Sequence, residues 1–546
     1  MKKIVVFLFL ISNFIGFSQE DAWIYFKDKP DSDTFFNNPL SELSQRALDR
    51  RTTQNIPLDL KDVPINQLYI NQISSATGIT VMAKSKWLNC VHVRGLQSDI
   101  NALKSLTSVL KVDFANKSLN LVSRKIKSEN IKPINKVLAT QVNYNYGNSL
   151  NQIKMLKGDL LHQQNYTGSG IIIAVMDGGF PGVNSTQPFQ RLRDNKQILG
   201  GYDYVNKSTD FYTGISHGTS VLSLMGGFKE NLLIGTAPDA QYYLFITEDG
   251  LNENPVEESN WVEAAEEADR LGVDIITTSL GYTTFDNTNY DYTYSDMNGT
   301  TTFISKGLDI AFSRGIVCVV SAGNDGNKPW QYISAPADAI HSLTIGAVKS
   351  DKSYALFSSQ GPTFDKRVKP DVMAQGQNPY VSDALGNITN SGSGTSYSCP
   401  IIAGMVACLW QAYPNKTNLE IKQLIIQSAD KYFYFDPDPL LNVRNKYGYG
   451  IPDFSLALAN GLLVNSFSKS DFTIYPNPTS DAIFVGLPDG FEVGNTIIYS
   501  VLGQKVLEKK TTKQDSFISL KFLNKGTYLY KIETNGFSKS GKILKQ

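Results

Sequence analysis

The sequence predicts a central α/β domain with a parallel sheet and helices on both faces, preceded by a small α+β domain and followed by a small all-β sandwich module. Three observations support this. Apolar strand runs in the middle of the chain are continuous rather than alternating, as in Ile171-Ile172-Ile173-Ala174-Val175 and Ile316-Val317-Cys318-Val319-Val320, so those strands are buried on both faces. Helical periods at Trp261 to Leu271 and Ile304 to Arg314 separate such strands, the order expected of β-α-β crossovers. Composition shifts on both flanks, and 546 residues with 41% apolar and 19% charged side chains can bury several cores.

From the start, Met1-Lys2-Lys3 leads into an apolar run, Ile4 to Phe17, too short to span a bilayer, and the small residues Gly16 and Ser18 suit a signal peptidase. Residues 1–18 are read as a signal peptide cleaved after Ser18. No other stretch approaches eighteen consecutive apolar residues, so no membrane span is expected in the mature form. Residues 20–114 mix strand candidates (Trp23 to Phe26, Val91 to Val93, Leu110 to Val112) with helix candidates (Leu40 to Arg50, Asp99 to Leu106), a small α+β order. Residues 115–145, polar and lysine-rich with Pro133, read as an exposed linker. The α/β domain is assigned to residues 146–463. After Ser466, short strands separated by Gly, Pro and Asn turns place the all-β module at residues 471–546.

Lysine plus arginine and aspartate plus glutamate each total 51, so no basic excess exists to neutralise a phosphate backbone and a nucleic-acid partner is not expected. Cys90, Cys318, Cys399 and Cys408 lack both a disulfide framework and metal spacing, and read as buried thiols. Glu257-Glu258 and Glu263 to Asp269 read as the wet side of a helix. His92, His162 and His341 have no metal pattern and read as structural.

Chemistry gathers in four segments at strand ends or helix starts. Asp177 leaves a buried strand in Val175-Met176-Asp177-Gly178-Gly179. His217 opens a helix in Ser216-His217-Gly218-Thr219, and Ser396 sits in Ser393-Gly394-Thr395-Ser396, feeding the apolar helix Ile401 to Trp410. A hydroxyl is a poor nucleophile near neutral pH, so it needs an imidazole to take its proton and a buried carboxylate to hold that imidazole's tautomer. Asn324, in Ser321-Ala322-Gly323-Asn324, supplies a side-chain amide that, with the Ser396 backbone N–H, suits an oxyanion.

These segments resemble those of the subtilisin-like serine peptidases. Asp177 stands in an Asp-Gly-Gly motif, His217 in His-Gly-Thr, Asn324 in Ala-Gly-Asn and Ser396 in Gly-Thr-Ser, in the family's order over roughly Tyr146 to Leu463. Gly235-Thr236-Ala237-Pro238 is family-like too, and Ser279, Leu280 and Gly281 are similar to the edge strand that pairs with an extended peptide substrate. Two departures are visible: Ser220 replaces a second histidine after His-Gly-Thr, and Tyr397 and Cys399 stand where small residues are common.

The resemblance implies a secreted serine endopeptidase that acts on polypeptides through an acyl-enzyme and needs no cofactor for its chemistry. The rival readings are a non-catalytic surface adhesin that keeps the fold, and an esterase. No metal ligand set is assigned. A structural calcium ion is compatible with the carboxylates Asp286, Asp291 and Asp296, but their spacing fits no recognised loop and a solvated face is expected. The first domain resembles the family's propeptides, which inhibit their own enzyme. The last module, with Tyr475-Pro476-Asn477-Pro478, Leu502-Gly503-Gln504 and Gly526-Thr527-Tyr528, resembles the sorting domains of type IX secretion. That machinery exports proteins through the periplasm to the surface or medium of Bacteroidetes-type bacteria.

Overall fold

A computed structural model describes residues 19–120, 143–432, 443–463, 473–487, 493–501, 503–512, 515–534 and 537–546. The proposed signal peptide, most of the proposed linker and Leu502 lie outside these. The chain forms two compact units, one ending at Leu458 and one starting at Ala459. Among the described residues, no helix is long and apolar enough to cross a membrane.

The first part of unit one is an antiparallel sheet of β1 (Gln19–Phe26), β2 (Ile79–Ser85), β3 (Cys90–Leu96) and β4 (Val109–Phe114), in the order β2-β3-β1-β4. One face buries Ile24, Val91, Val93 and Phe114 in its own core. The strand candidates fall within β1, β3 and β4, whereas β2, half-exposed and without strict alternation, was not expected. Asp99 to Leu106 falls on the helix Gln97–Ala102 and a following 3-10 turn, while Leu40 to Arg50 splits into a 3-10 turn and the helix α1 (Gln45–Thr53). Ser44 caps α1 by accepting from the Ala47 N–H, which fixes the start later than periodicity suggested. Of the residues assigned to the linker, Ala115 is buried and Lys117–Leu119 forms a turn whose lysine pairs with Asp296 at 2.7 Å.

The larger part of the unit is a seven-stranded sheet, all of whose pairings are parallel. Its strands are β5 (Ile172–Asp177), β6 (Ile198–Asp203), β7 (Gln241–Ile246), β8 (Ile275–Thr278), β9 (Val317–Ser321), β10 (Leu343–Val348) and β11 (Val372–Gln375), in the order β11-β10-β9-β8-β5-β7-β6. Alternate residues of β5 enter opposite cores, Ile173 and Val175 on one face and Ile172, Ala174 and Met176 on the other. This is why its sequence is apolar throughout, and each of its buried Ile, Val and Met side chains contributes about 1.5–3 kcal/mol. Helices α2 (His217–Gly226) and α5 (Thr395–Ala412) cover the first face. Helices α3 (Val256–Leu271) and α4 (Phe303–Ser313) cover the second.

The outer faces of α3 and α4 carry the first domain. Trp23 stacks on Phe303 at 4.9 Å and its Nε1–H donates to Ser259 at 2.9 Å. Glu266 accepts from the Ser85 hydroxyl at 2.6 Å and from the Lys86 and Trp87 N–H groups at 2.9 Å. The wet-face reading of α3 is therefore corrected: Glu257, Glu258, Glu266 and Asp269 are buried. Helix α1 adds a clasp at the carboxyl end of α3. The Asp269 carboxylate accepts from Arg50 and, at 2.6 Å, from Arg51. Arg51 also reaches Asp62 at 2.7 Å, and Asp62 meets Arg314 at 3.2 Å.

Beyond the end of the helix Phe454–Leu463, the described residues of the second unit form a three-stranded sheet and a four-stranded one whose described strand pairings are antiparallel. Ile483, Val485, Ile498, Ile518, Ile532 and Ile543 form its core. The expected strands match Thr473–Tyr475, Val493–Ser500, Phe517–Ser519 and Gly526–Thr534. The strands Ala482–Gly486, Lys505–Thr512 and Phe537–Lys545 complete it.

Candidate active site

Parallel sheets leave the carboxyl ends of their strands open for ligand chemistry, and the candidate residues gather there. Asp177 is the last residue of β5 and is buried. Its carboxylate accepts from the Gly178 N–H at 2.8 Å and from His217 Nδ1 at 2.8 and 3.0 Å. His217 is the first residue of α2. A side chain at Gly218 would put its Cβ 2.5 Å from the Gly179 carbonyl and 2.9 Å from Asp177 Cβ, so only glycine lets α2 start this close to β5. The negative charge of Asp177 raises the His217 pKa above its ordinary value, against the opposing effect of burial. With Nδ1–H given to Asp177, Nε2 is the free ring nitrogen.

Ser396 is the second residue of α5, a helix apolar on every side and buried along its length. Its carbonyl accepts from the Ser279 hydroxyl at 3.0 Å. Asn324 follows β9, and its Oδ1 accepts the Thr395 N–H at 2.8 Å, which fixes the amide and leaves Nδ2 as donor. A Cβ added at Gly394 would lie 2.8 Å from Ser396 Oγ and 3.6 Å from Asn324 Nδ2, so hydroxyl and amide border one space. The structure thus brings Asp177 to His217 and Asn324 to the Ser396 turn. Tyr397, whose ring lies 6.1 Å from that of His217, bridges the two pairs.

Ser279, Leu280 and Gly281 follow β8, an interior strand of the sheet that ends at Thr278. They leave the sheet at its carboxyl end, where Leu280 lines a cavity of about 340 Å³ together with Asp177 and His217. Glu248, Asp249, Glu253 and Asp286 line the same cavity. Sequence reasoning missed this acidic wall, although Glu248-Asp249 lies one residue past β7, which pairs with the strand of Asp177. Glu248, Glu253 and Glu257 hold carboxylate oxygens within 4.8 Å of one another, a spacing a cation could share. Burial pushes Glu253 up to about 7 and Glu257 up to about 8.

The loop carboxylates do not converge: Asp286 accepts from Glu253 N–H, Asp291 from Phe285 N–H and Asp296 from Thr293 N–H. The other histidines have structural partners, His92 in Asp21 and Ser259, His162 in Tyr146 and the Thr236 carbonyl, His341 in Asp309. All four cysteines are free and buried.

Family comparisons fit this arrangement. A model of the subtilase family matches residues 168–450, one of the peptidase S8 propeptide domain of Bacteroidota matches 21–133, and one of a secretion-system C-terminal sorting domain matches 473–546. Among curated proteins, the chain is 30% identical over 315 residues to serine protease AprX of Bacillus subtilis, covering 53% of this chain and 66% of that protein. It is 29% identical over 299 residues to subtilisin E of the same species, covering 54% of this chain and 69% of that protein, and to subtilisin of Bacillus pumilus, covering 96% of that protein.

Proposed function

Because the chain belongs to the subtilase family, we propose that it is a secreted serine endopeptidase, made as a precursor, that cleaves polypeptides through an acyl-enzyme. The observation that carries this reading is the Asp177–His217 pair at the carboxyl end of β5, beside the turn that presents Ser396 and Asn324. Asp177 holds the Nδ1–H tautomer, so His217 Nε2 takes the proton of Ser396 Oγ as that oxygen attacks the carbonyl. Asn324 Nδ2 and the Ser396 N–H donate to the oxyanion, His217 returns the proton to the leaving amine, and water then releases the acyl group by the same steps. The contact between Nε2 and Oγ closes in the substrate complex. The peptide backbone lies along Ser279 to Gly281, and no cofactor takes part.

Labelling with a fluorophosphonate tests the reading. The adduct is expected on Ser396 by peptide mapping, and a labelled residue elsewhere, or none, would refute it. Replacing Asn324 by Ala is expected to lower kcat about 10²- to 10³-fold with KM nearly unchanged, because the bond forms mainly to the charged transition state. That magnitude is taken from the corresponding donor of subtilisin. An effect confined to KM would remove Asn324 from this role.

The first domain, packed on α3 and α4, serves as the enzyme's own inhibitor before removal. The C-terminal module is the address for type IX export through the periplasm of a Bacteroidetes-type bacterium to its surface or medium. It forms its own core and supplies none of the proposed catalytic groups, so deletion of residues 471–546 should leave peptide hydrolysis intact and hold the protein in the periplasm. Normal amounts of the truncated protein outside the cell would count against the sorting role.

A further inference from the structure

We infer that Tyr397 is a positioning residue for His217, its ring stacked beside the imidazole at 6.1 Å to hold that ring's orientation and to favour the imidazolium formed during proton transfer. The inference rests on the reading of His217 as general base. Tyr397 follows Ser396 in the first turn of α5, and its ring is held between two surfaces. On one side it packs against the core that α2 and α5 share. Across it runs the loop at Gly392, where an added Cβ would meet the Tyr397 hydroxyl oxygen at 2.7 Å and a ring carbon at 2.8 Å, so the glycine makes the room that the ring occupies. The imidazole of His217 lies 6.1 Å away, centroid to centroid, inclined by 29°, a stacked pair.

Asp177 restrains His217 only through Nδ1, about which the ring can still tilt. A stacked aromatic neighbour limits that freedom. An aromatic face also attracts a cation placed over it, so the contact is stronger once His217 has accepted a proton than before. The phenol itself stays neutral: burial, then the charge of Asp177, pushes its hydroxyl up from the ordinary tyrosine value. The charged or titratable groups that face His217 are Asp177 from β5, Glu248, Asp249 and Glu253 after β7, and Asp286 in the loop beyond Gly281. None of these changes when Tyr397 is replaced.

The test compares Tyr397→Phe with Tyr397→Leu in the secreted enzyme on a peptide substrate. The Phe variant is expected to keep kcat within about twofold. The Leu variant should lose about 3- to 30-fold in kcat with little change in KM, the size of one cation–π contact, and the acid limb of its kcat/KM profile should move to lower pH. A ring-trifluorinated phenylalanine at 397, equal in shape but weaker in its negative face, should fall between the two, and it decides the matter alone if the Leu variant does not accumulate. Equal rates and equal acid limbs for Phe and for Leu or the fluorinated ring overturn the inference. So does a Leu variant that loses rate with the acid limb unmoved, since packing alone would do that, and so does a Phe variant as impaired as Leu. A His217→Ala control separates the two levels: activity retained there refutes the base assignment itself, whereas activity lost there with Tyr397 variants unchanged refutes only the role of Tyr397.

Discussion

Replacing Ser396 by Ala is expected to lower kcat for peptide hydrolysis about 10⁶-fold and to abolish fluorophosphonate labelling, a magnitude taken from removal of the nucleophile in subtilisin. The reason is local. Ser396 Oγ is the hydroxyl that shares the space above Gly394 with the Asn324 amide, and it stands at the start of a buried helix whose N-terminal dipole favours the developing oxyanion. Residual turnover of about 10³-fold over water would remain from binding and the oxyanion donors, and does not count against the assignment. A variant that keeps more than trace activity on the peptide would show that another group is the nucleophile.

The second large effect is expected on stability. Asp269 is buried at the end of α3 between Arg50 and Arg51. Burial alone would raise its pKa, but the charges of Arg51 and Arg50 outweigh that and hold it below the ordinary carboxylate range. A carboxyl whose folded pKa is depressed contributes stability above its unfolded pKa and loses it as pH falls through the folded value, so the clasp is fully formed at neutral pH and weakens only in strong acid. Asp269→Ala leaves Arg50 buried without its carboxylate and Arg51 with Asp62 alone. Loss of one partner of a buried pair costs about 3–5 kcal/mol. The measurement is chemical denaturation at neutral pH of the uncleaved Ser396→Ala precursor, with and without the Asp269 change. A difference below about 1 kcal/mol would mean that water reaches the arginines and the clasp contributes little.

The clasp also marks where sequence reasoning stopped. The period of α3 was readable because its Trp261, Ala264, Ala265 and Ala268 face the sheet. Its opposite side is acidic, and acidic side chains on a helix ordinarily meet water. Here Glu266 meets the Ser85–Trp87 turn and Asp269 meets α1, partners about 180 and 218 residues away in the chain. Periodicity describes one helix against its nearest core and carries no record of what docks on its other side. The acidic wall beside His217 was hidden for a similar reason: Glu248, Asp249 and Glu253 share the loop after one strand, but Asp286 reaches the same cavity only because a separate loop folds beside it.

Residue order is enough to read the parallel α/β class, the three-part order and the four catalytic candidates. Continuous apolar runs have no stable setting other than a sheet covered on both faces, and the proposed chemistry needs particular residue types in short turns at the ends of those runs. The tertiary structure alone decided that Ser279 to Gly281 project from an interior strand, that the carboxylates of α3 are buried and that Tyr397 lies against His217. These depend on which distant surfaces meet, and that choice is made by the summed burial and pairing of the whole fold rather than by any local run of residues.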